Sequence, residues 1–572
     1  MSAILGIFGG PPPSEGAVSA MLGAMRRRGA EAVDVWRTGD AVMAVARHDW
    51  ELAPEFSGRA LVAHDGPLAV AADASLYYRR DLLTALDAAG VVPRGPTPSH
   101  LILAAYRAWG DDCVDHLEGD YAFILWDGAN RRALAARDFG GKRPLHFAEV
   151  GGALVVGSTI GGVAAHPDCP TDLNVPLLAG TCAGLHFSAG PETAYHAIRV
   201  LPSAQALTRE SGRVHGPRRF WEPPVGTRSD VPFDQAAEQL RELLRTATAE
   251  RMPQSGPTSV WMSGGWDSTS VFAAAGDAVR QGDANGPVLP VSISYPEGDP
   301  GREDHWIRDV AGHWNAPIHW LDIGEIPFLD READRAAERD EPYAHLYARW
   351  NAALAGGSRA TGARVAFDGN GGDQLFQNSD IFMADLFRSG RWLRLRREWQ
   401  ARPRGGFRHF FGMAVQPNMT PAMHRAATLL RGGRRLRHYL ERPLPDWIRP
   451  EFIEGHELER RDFGHLGRPI RASHAEREID WQYTNSFIDR AFALITSWAL
   501  EQGVEVRSPL SDRRIVELAL SRPWWERSSG RETKLLLRAA MKGLMPENVL
   551  APRTKRTGVT AGYSHRWMSE VF

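Results

Sequence analysis

The stretch Ser263-Gly-Gly-Trp-Asp-Ser268 stands between an apolar run over residues 259–262 and a run of helical periodicity over 268–280. Glycines let the backbone turn tightly and approach an anion, and a following helix directs its partially positive N-terminus to the same place. A strand, a glycine turn and a helix in this order indicate a parallel α/β sheet with a phosphate-binding loop. The loop lacks the lysine and the spacing of a Walker A sequence.

A second glycine turn, Asp368-Gly-Asn-Gly-Gly-Asp373, follows the apolar strand candidate at 364–367. A single glycine turn usually has only a structural role. Two glycine turns that each follow a strand favour a shared site at the carboxyl edge of a parallel sheet, where ligands bind. Each turn contains a carboxylate, that of Asp267 or Asp373. A carboxylate can lie next to the negative charge of polyphosphate only if a cation lies between them. Mg²⁺ prefers oxygen ligands of this kind. We therefore predict that Asp267 and Asp373 share a magnesium ion.

Composition excludes several classes of protein. The 572 residues suggest two to four folded units. The 67 basic and 69 acidic residues give a formal net charge of −2, which indicates no global role on nucleic acid or a membrane surface. Three cysteines without C-x-x-C spacing argue against a disulfide framework and favour the cytoplasm. No apolar run reaches the roughly 18 residues of a membrane span.

The patterning divides the chain at residues 216–232, which are rich in proline and glycine and are predicted to form a linker. Residues 1–215 read as short strands with intervening helices, an α+β domain. Residues 233–572 read as an α/β domain that ends in helices over 481–501 and 534–545.

Residues 388–442 carry 14 arginines and only two acidic residues. This segment is either a set of solvated helix faces or a surface for an anionic partner such as an acidic peptide. The near-zero net charge of the whole chain favours the first interpretation.

The chain resembles the asparagine synthetase family over nearly its whole length, and residues 263–268 resemble the pyrophosphate loop of N-type ATP pyrophosphatases. The other matching stretches are Leu5-Gly-Ile-Phe-Gly9, Met25-Arg-Arg-Arg-Gly29, residues 117–123, 137–145 and 501–512, Lys534-Leu-Leu-Leu-Arg538 and Arg553-Thr-Lys555. The resemblance implies a glutaminase-like α+β sheet sandwich of the N-terminal-nucleophile type over 1–215. It also implies an α/β parallel-sheet ATP-pyrophosphatase (synthetase) domain over 233–572.

The resemblance also implies a set of functional residues. Lys555, Asp267 and Asp373 would be catalytic, with Lys555 stabilising charge in the transition state and the two acids holding Mg²⁺. The residues expected to bind ATP are Met262, Ser263, Gly264, Gly265, Asp267, Ser268, Ser294 and Gly369.

Two departures from the family pattern concern glutamine. Glutamine-hydrolysing members begin with a cysteine nucleophile just before the Gly-Ile-Phe-Gly run, whereas this chain has Met-Ser-Ala-Ile-Leu there, and we do not expect Ser2 to replace the cysteine. The family's Asn-Gly-Glu-Ile-Tyr-Asn stretch corresponds to Asp73-Ala-Ser-Leu-Tyr-Tyr78. We therefore expect a glutaminase fold without glutaminase activity.

A third departure is Asn370, at the position where asparagine synthetases carry a glutamate and β-lactam synthetases a tyrosine. Asparagine cannot act as a general base at neutral pH. The pattern favours the lasso peptide cyclases, which close a macrolactam through an acyl-adenylate and release AMP and pyrophosphate. The resemblance then implies a precursor peptide, a leader-removing protease and a leader-binding partner. The alternatives are an asparagine synthetase using ammonia or glutamine, a β-lactam synthetase-like ligase, and a degenerate scaffold that binds peptide without catalysis.

Overall fold

The structure of the protein is a computed structural model. The structure describes residues 2–183, 190–327, 329, 331–341, 347–401, 406–433, 444–458, 472–553 and 560–571. Within these ranges no helix is both long and apolar enough to cross a membrane.

The N-terminal part contains two six-stranded antiparallel sheets, with strand orders β10-β8-β9-β1-β3-β2 and β12-β11-β7-β6-β5-β4. Their strands are β1 (Ala3–Phe8), β2 (Ala32–Arg37), β3 (Ala41–Arg47), β4 (Val62–Asp65), β5 (Leu68–Leu76), β6 (Gly119–Asp127), β7 (Arg132–Arg137), β8 (His146–Val150), β9 (Ala153–Gly157), β10 (Arg199–Val200), β11 (Gln205–Glu210) and β12 (Arg213–Arg219). Strand β12 runs through the first four residues of the predicted linker.

The two sheets pack face to face, because Phe8 and Met43 of the first share one apolar core with Ala71 and Ile124 of the second. Helices cover both outer faces, so the domain has four layers. These helices are α1 (Glu15–Ala24), α2 (Arg79–Ala88), α3 (Pro98–Trp109), α4 (Cys113–His116), α5 (Ile160–Ala164) and α6 (Val175–Cys182).

The C-terminal part is built on a five-stranded parallel sheet of order β15-β14-β13-β16-β17. A two-stranded hairpin, β18–β19, lies apart from it. The strands are β13 (Thr258–Trp261), β14 (Val288–Ser294), β15 (His319–Asp322), β16 (Val365–Phe367), β17 (Glu505–Arg507), β18 (Ser528–Ser529) and β19 (Glu532–Thr533).

Helices cover both faces of the parallel sheet, which explains why its central strands are apolar on both sides. They are α7 (Phe233–Arg251), α8 (Trp266–Gln281), α9 (Asp304–His313), α10 (Glu332–Ala337), α11 (Ala348–Ala360), α12 (Gly372–Phe376), α13 (Phe382–Arg388), α14 (Trp392–Ala401), α15 (Phe407–Phe410), α16 (Pro421–Leu430), α17 (Pro450–Gly455), α18 (His474–Thr484), α19 (Ser486–Glu501), α20 (Arg513–Ser521), α21 (Leu535–Ala540), α22 (Glu547–Leu550) and α23 (Thr560–Val571).

Two predicted helices differ from the structure. The predicted helix over 481–501 is divided into α18 and α19, because Asn485 adopts an extended conformation between them. The predicted helix over 534–545 is helical only from Leu535 to Ala540. Lys534 caps its start at φ 56°, and Gly543 has φ 79° beyond its end. Both residues are left-handed and therefore lie outside the helix.

Candidate active site at the edge of the parallel sheet

The site lies where the order of the parallel sheet reverses. Strand β13 pairs with β14 on one side and with β16 on the other. The chain therefore leaves the ends of β13 and β16 in opposite directions, and this opens a crevice at the carboxyl edge. The two glycine turns follow these two strands, as the sequence predicted.

Glycine is required where the two turns meet. A Cβ atom added to Gly369 would lie 2.8 Å from the backbone nitrogen of Ser268, and one added to Gly372 would lie 2.1 Å from Cγ of Asp267. Both distances are far shorter than any van der Waals contact between carbon and its neighbours. The absence of side chains here therefore lets Asp373, the next residue of α12, approach Asp267.

The two predicted magnesium ligands converge on a lysine. Lys534 Nζ donates a hydrogen bond to Asp267 Oδ2 and lies 2.7 Å from Asp373 Oδ1. The backbone places this side chain, because Lys534 is held in a left-handed conformation and its N–H donates to the carbonyl of Phe376 at the end of α12. One ammonium thus bridges the two acids and leaves one negative charge in excess.

The charges of this cluster are strongly perturbed. Burial raises the pKa of Asp267 to about 6, and the negative charge of Asp373 adds to the effect while Lys534 opposes it. Burial opposes the charge of Lys534, but Asp267 and Asp373 outweigh it and raise the lysine's pKa. Lys534 is therefore an ammonium at neutral pH.

The cluster fits a divalent cation. Asp267 Oδ1 is buried and has no hydrogen-bond donor among the described residues, and the side chain of Asp373 is 73% exposed to the cleft. Each acid can therefore offer an oxygen to a metal, and Mg²⁺ is commonly held by one or two carboxylates together with substrate phosphates.

Hydrogen bonds between its own residues and Ser268 stabilise the loop from Ser263 to Gly265. Ser268 Oγ accepts a hydrogen bond from the backbone N–H of Ser263 at 3.0 Å, and Ser263 Oγ accepts one from the N–H of Gly265 at 3.2 Å. The loop ends at the N-terminus of α8, whose first-turn N–H groups have no partner within the helix. This arrangement is a ready anion site, with the hydroxyl of Ser268 shaping the loop.

A cleft of about 1120 Å³ opens in front of the loop. One wall carries the loop, Asp267, Asp373 and Lys534. Another part of the lining is aromatic, because it contains Tyr295, Tyr347 and Trp350, with ring centroids of Tyr347 and Trp350 5.0 Å apart. The cleft thus joins a charged end to an apolar end.

The predicted site residues divide into three groups. Met262, Ser263, Gly264, Gly265, Asp267 and Asp373 line the cleft. Ser268 and Gly369 lie in the contact between the two turns, and Ser294 donates its hydroxyl to Asp304 at 2.8 Å instead of lining the cleft. Lys555 lies outside the described residues.

Asn370 is not among the residues that line the cleft. Its side-chain amide donates to Asp368 Oδ2 at 2.5 Å, and its backbone carbonyl accepts from Ser511 Oγ at 3.1 Å. Asp368 is buried, and burial raises its pKa. Asn370 therefore ties the second turn to the segment after β17.

Sequence reasoning missed Lys534, Glu303 and Arg553 as cleft residues. Arg553 donates to the carbonyl of Gly264 at 2.5 Å and pairs with Glu303 at 3.4 Å, so it braces the phosphate loop. A signal for Lys534 was present, because the chain has only four lysines, Lys142, Lys534, Lys542 and Lys555. A lysine that is rare in an arginine-rich chain is a candidate for a site that uses a compact ammonium.

The stretch that the resemblance associates with glutamine is engaged in a buried ion network. Asp73 pairs with Arg28 at 2.8 Å and lies 3.6 Å from Arg143, which in turn pairs with Glu505 of the parallel sheet at 2.9 Å. Arg507 pairs with the same oxygen of Glu505 at 2.9 Å. All five side chains are at most 4% exposed. The network joins the two domains through their interior.

The acids of this network are held ionised. Burial opposes ionisation of Asp73, but Arg143 and Arg28 outweigh it and lower its pKa. Burial likewise opposes ionisation of Glu505, and Arg507 and Arg143 hold its pKa well below its usual range. Ser2 lies beside the network, fully buried, where its hydroxyl accepts from Arg47 Nε at 2.9 Å.

Two family models match the chain. The asparagine synthase model covers residues 239–570, and a glutamine amidotransferase domain covers residues 1–221. The chain belongs to the asparagine synthase family.

Individual relatives are distant. Asparagine synthetase [glutamine-hydrolyzing] 3 of Bacillus subtilis is 25% identical over 524 residues, which cover 87% of this chain and 77% of that protein. Amidase chyE of Penicillium rubens is 27% identical over 54% of this chain and 46% of its own length. Among solved structures, a glutamine phosphoribosylpyrophosphate amidotransferase from B. subtilis matches 64% of this chain and 90% of its own, with 13% identity and a TM-score of 0.29.

Family membership confirms the predicted fold class, an amidotransferase-type domain followed by an asparagine synthase domain. It also makes the protein an ATP-dependent ligase that forms amide bonds in the manner of asparagine synthetases. The individual roles of the site residues remain predictions.

Gly372→Ala tests the contact between the two turns. The new Cβ would lie 2.1 Å from Cγ of Asp267, so the carboxylate must move away from Asp373 and Lys534. We expect ATP-dependent AMP formation to fall by about 100-fold, since a displacement of about 1 Å at a reacting centre has effects of this size. Gly312→Ala in α9 is the control, because its Cβ would meet no atom within 4 Å in the part of the chain that the structure describes. Equal activities of the two variants would contradict the prediction.

Proposed function

We propose that this protein closes a macrolactam ring in a precursor peptide of the lasso type. The carboxylate of an Asp or Glu side chain is adenylated by ATP, and the peptide's own α-amine then displaces AMP. The proposal narrows the family's amide-forming chemistry to one class of substrate.

The observation that carries the proposal is the buried ion network between the domains. In this chain Asp73 is held by Arg28 and Arg143, which are themselves buried. A glutamine side chain would have to displace these ion pairs, and breaking a buried pair costs about 3–5 kcal/mol. An amine that enters with the substrate through the open cleft avoids this obstacle.

The size and lining of the cleft support a peptide substrate. Its volume of about 1120 Å³ exceeds the roughly 300–1,000 Å³ typical of small-ligand pockets. A nucleotide at the charged end therefore leaves room at the aromatic end, where the partly exposed Tyr347 can contact a peptide side chain while it packs against the buried Tyr295 and Trp350.

The residues at the charged end have distinct tasks in the first step. The substrate carboxylate oxygen attacks the α-phosphorus of ATP, and the bond from that phosphorus to the bridging oxygen of pyrophosphate breaks. The N–H groups of the first turn of α8 then donate to the departing pyrophosphate. Lys534 provides a fixed positive charge beside it.

In the second step the α-amine attacks the acyl carbon, the bond between that carbon and the phosphate oxygen of AMP breaks, and the proton that the amine loses passes to solvent. Asp267 and Asp373 would hold Mg²⁺, which when bound supplies charge neutralisation on the phosphates. Lys555, which the resemblance assigns to transition-state stabilisation, is part of the proposal. A leader-removing protease and a leader-binding partner would supply the trimmed peptide.

The test measures AMP and pyrophosphate release by the purified protein with ATP and Mg²⁺. We expect release only with the leader-free precursor peptide encoded beside its gene, together with a product lighter than the peptide by one molecule of water. Hydroxylamine should intercept the acyl-adenylate as a hydroxamate when the peptide's amine is acetylated. This second readout separates adenylation from ring closure.

The competing functions give different results in the same assay. AMP release with aspartate and ammonia, at a rate matching or exceeding that with the peptide, would replace the proposal by an ammonia-dependent asparagine synthetase. Release with aspartate and glutamine would contradict the role given to the ion network. Peptide binding without AMP release under any condition would indicate a non-catalytic scaffold.

A further inference from the structure

Helix α14 carries an unusual exposed surface beside the cleft. The side chains of Trp392 and Leu393 are 55% and 88% exposed, and Trp525, across from the helix, is 42% exposed. The guanidinium of Arg394 lies 5.3 Å from the ring centroid of Trp525, and Arg396 and Arg397 of the same helix are exposed. We call residues 392–397 together with Trp525 the arginine surface.

The periodicity of helix α14 places its buried and its exposed side chains on different faces. Leu395 and Glu398 are buried, whereas Leu393, Arg396 and Arg397 share the opposite face at spacings of three and four. A helix turned outward in this way leaves both its apolar and its basic groups in water. Such a surface marks an interaction site more often than an isolated exposed residue does.

Within the described residues, no acid neutralises the charge of this surface. Arg394, Arg396 and Arg397 form no ion pair with another residue in the described part of the chain. The one acid of the helix, Glu398, points inward and accepts from the backbone N–H of Gly530 at 3.0 Å. The surface therefore presents a local positive field next to apolar groups.

The arginine surface is continuous with the cleft. Ala401, the last residue of α14, lines the cleft together with Gly530, and Glu398 fastens the helix to this rim. Arg394, Arg397 and Ala401 follow one row along the helix, so the row of charge ends at the opening. A helix of ten residues is about 15 Å long, a length that about five extended residues span.

We propose that the arginine surface binds an acidic and apolar segment of the peptide substrate that emerges from the cleft. This rests on the proposed peptide substrate and names where the rest of that substrate lies. The arginines pair with its Asp or Glu side chains, while Trp392, Leu393 and Trp525 cover its apolar side chains. The surface would thereby select substrates without touching the reacting atoms.

A nucleic acid is the other ligand to which arginines and aromatic rings are suited. The lining of the cleft opposes it, because it contains Asp373, Asp380 and Glu532, which would repel a continuous phosphate backbone. A peptide that places acids only opposite the helix avoids this repulsion. Nucleic-acid binding is therefore an outcome that the experiment must exclude.

The test is fluorescence anisotropy of the full chain with three labelled probes. They are a peptide of about ten residues that alternates glutamate with leucine and phenylalanine, its lysine counterpart, and a single-stranded RNA of the same length. We expect the acidic peptide to bind at least tenfold more tightly than either other probe. The double variant Arg396→Glu/Arg397→Glu should weaken it about tenfold or more, since like charges then face each other.

The matched control is Arg199→Glu/Arg213→Glu, which reverses two exposed arginines of the N-terminal domain. It should leave binding unchanged. Equal weakening by both variants, equal binding of the lysine peptide, or tighter binding of RNA would overturn the proposal.

Kinetics separate this surface from the proposed function. With the precursor peptide, Arg396→Glu/Arg397→Glu should raise KM and leave kcat unchanged. This is the expected result when a variant loses a contact that stabilises the bound substrate and the transition state equally. Peptide-dependent AMP release without binding of the acidic peptide would overturn only the role proposed for the arginine surface. Binding of the acidic peptide without any peptide-dependent AMP release would overturn the macrolactam function alone.

Discussion

We expect Asp267→Asn to lower ATP-dependent AMP formation by about 10³-fold. The substitution keeps the shape of the side chain and removes the charge that faces Lys534 and the predicted cation. Loss of a metal ligand and of its charge removes several kcal/mol of transition-state stabilisation, and about 4 kcal/mol corresponds to 10³ in rate.

Asp277→Asn is the matched control for this prediction. Asp277 lies on the same helix, α8, and is also buried, but it pairs with Arg280 away from the cleft. Its substitution should change the rate less than tenfold. Calorimetric titration with Mg²⁺ and ATP should show the loss of metal-dependent binding in Asp267→Asn alone. An Asp267→Asn enzyme within tenfold of the wild-type rate would refute the assignment of the metal site.

We expect Glu505→Gln to lower the free energy of unfolding by about 3–5 kcal/mol. The change leaves Arg143 and Arg507 buried with one counter-charge fewer, and an uncompensated buried charge has a cost of this order. That loss is a large part of the roughly 5–15 kcal/mol by which folded domains are stable. Urea unfolding followed by circular dichroism measures it.

The control is Glu242→Gln, which removes an exposed partner of Arg245 on α7. Surface pairs contribute only about 0–1 kcal/mol, so this variant should unfold nearly as the parent does. Similar losses in both variants would show that the network is not the source of the stability.

The same network determines the response to acid. Arg507 and Arg143 lower the pKa of Glu505 in the folded protein, and Arg143 and Arg28 lower that of Asp73. The stability that these acids contribute is therefore complete above their unfolded pKa values, near 4, and declines as the pH falls further. Glu505→Gln should flatten this decline in the free energy of unfolding below about pH 4.5.

Much of the fold could be predicted from the sequence, because local rules determined it. The apolar run before Ser263 and the helical run after it correspond to β13 and α8, and the proline-rich segment near residue 220 lies between the two sheet systems. Helix ends were less predictable. Lys534 is a good helix former by propensity, yet its contacts with α12 and the two acids hold it in a left-handed conformation outside the helix.

The sequence by itself determined that two glycine turns, each with an acid, follow two strands of a parallel sheet. It also determined that the family's glutamine-binding pattern is absent from residues 73–78. Only the tertiary structure decided that Lys534 lies between Asp267 and Asp373, and that Asp73 is joined through Arg143 to Glu505. These contacts join residues that lie between 70 and 362 positions apart in the chain. No local propensity encodes them, since they arise from the order of strands in the sheet and the packing of one domain on the other.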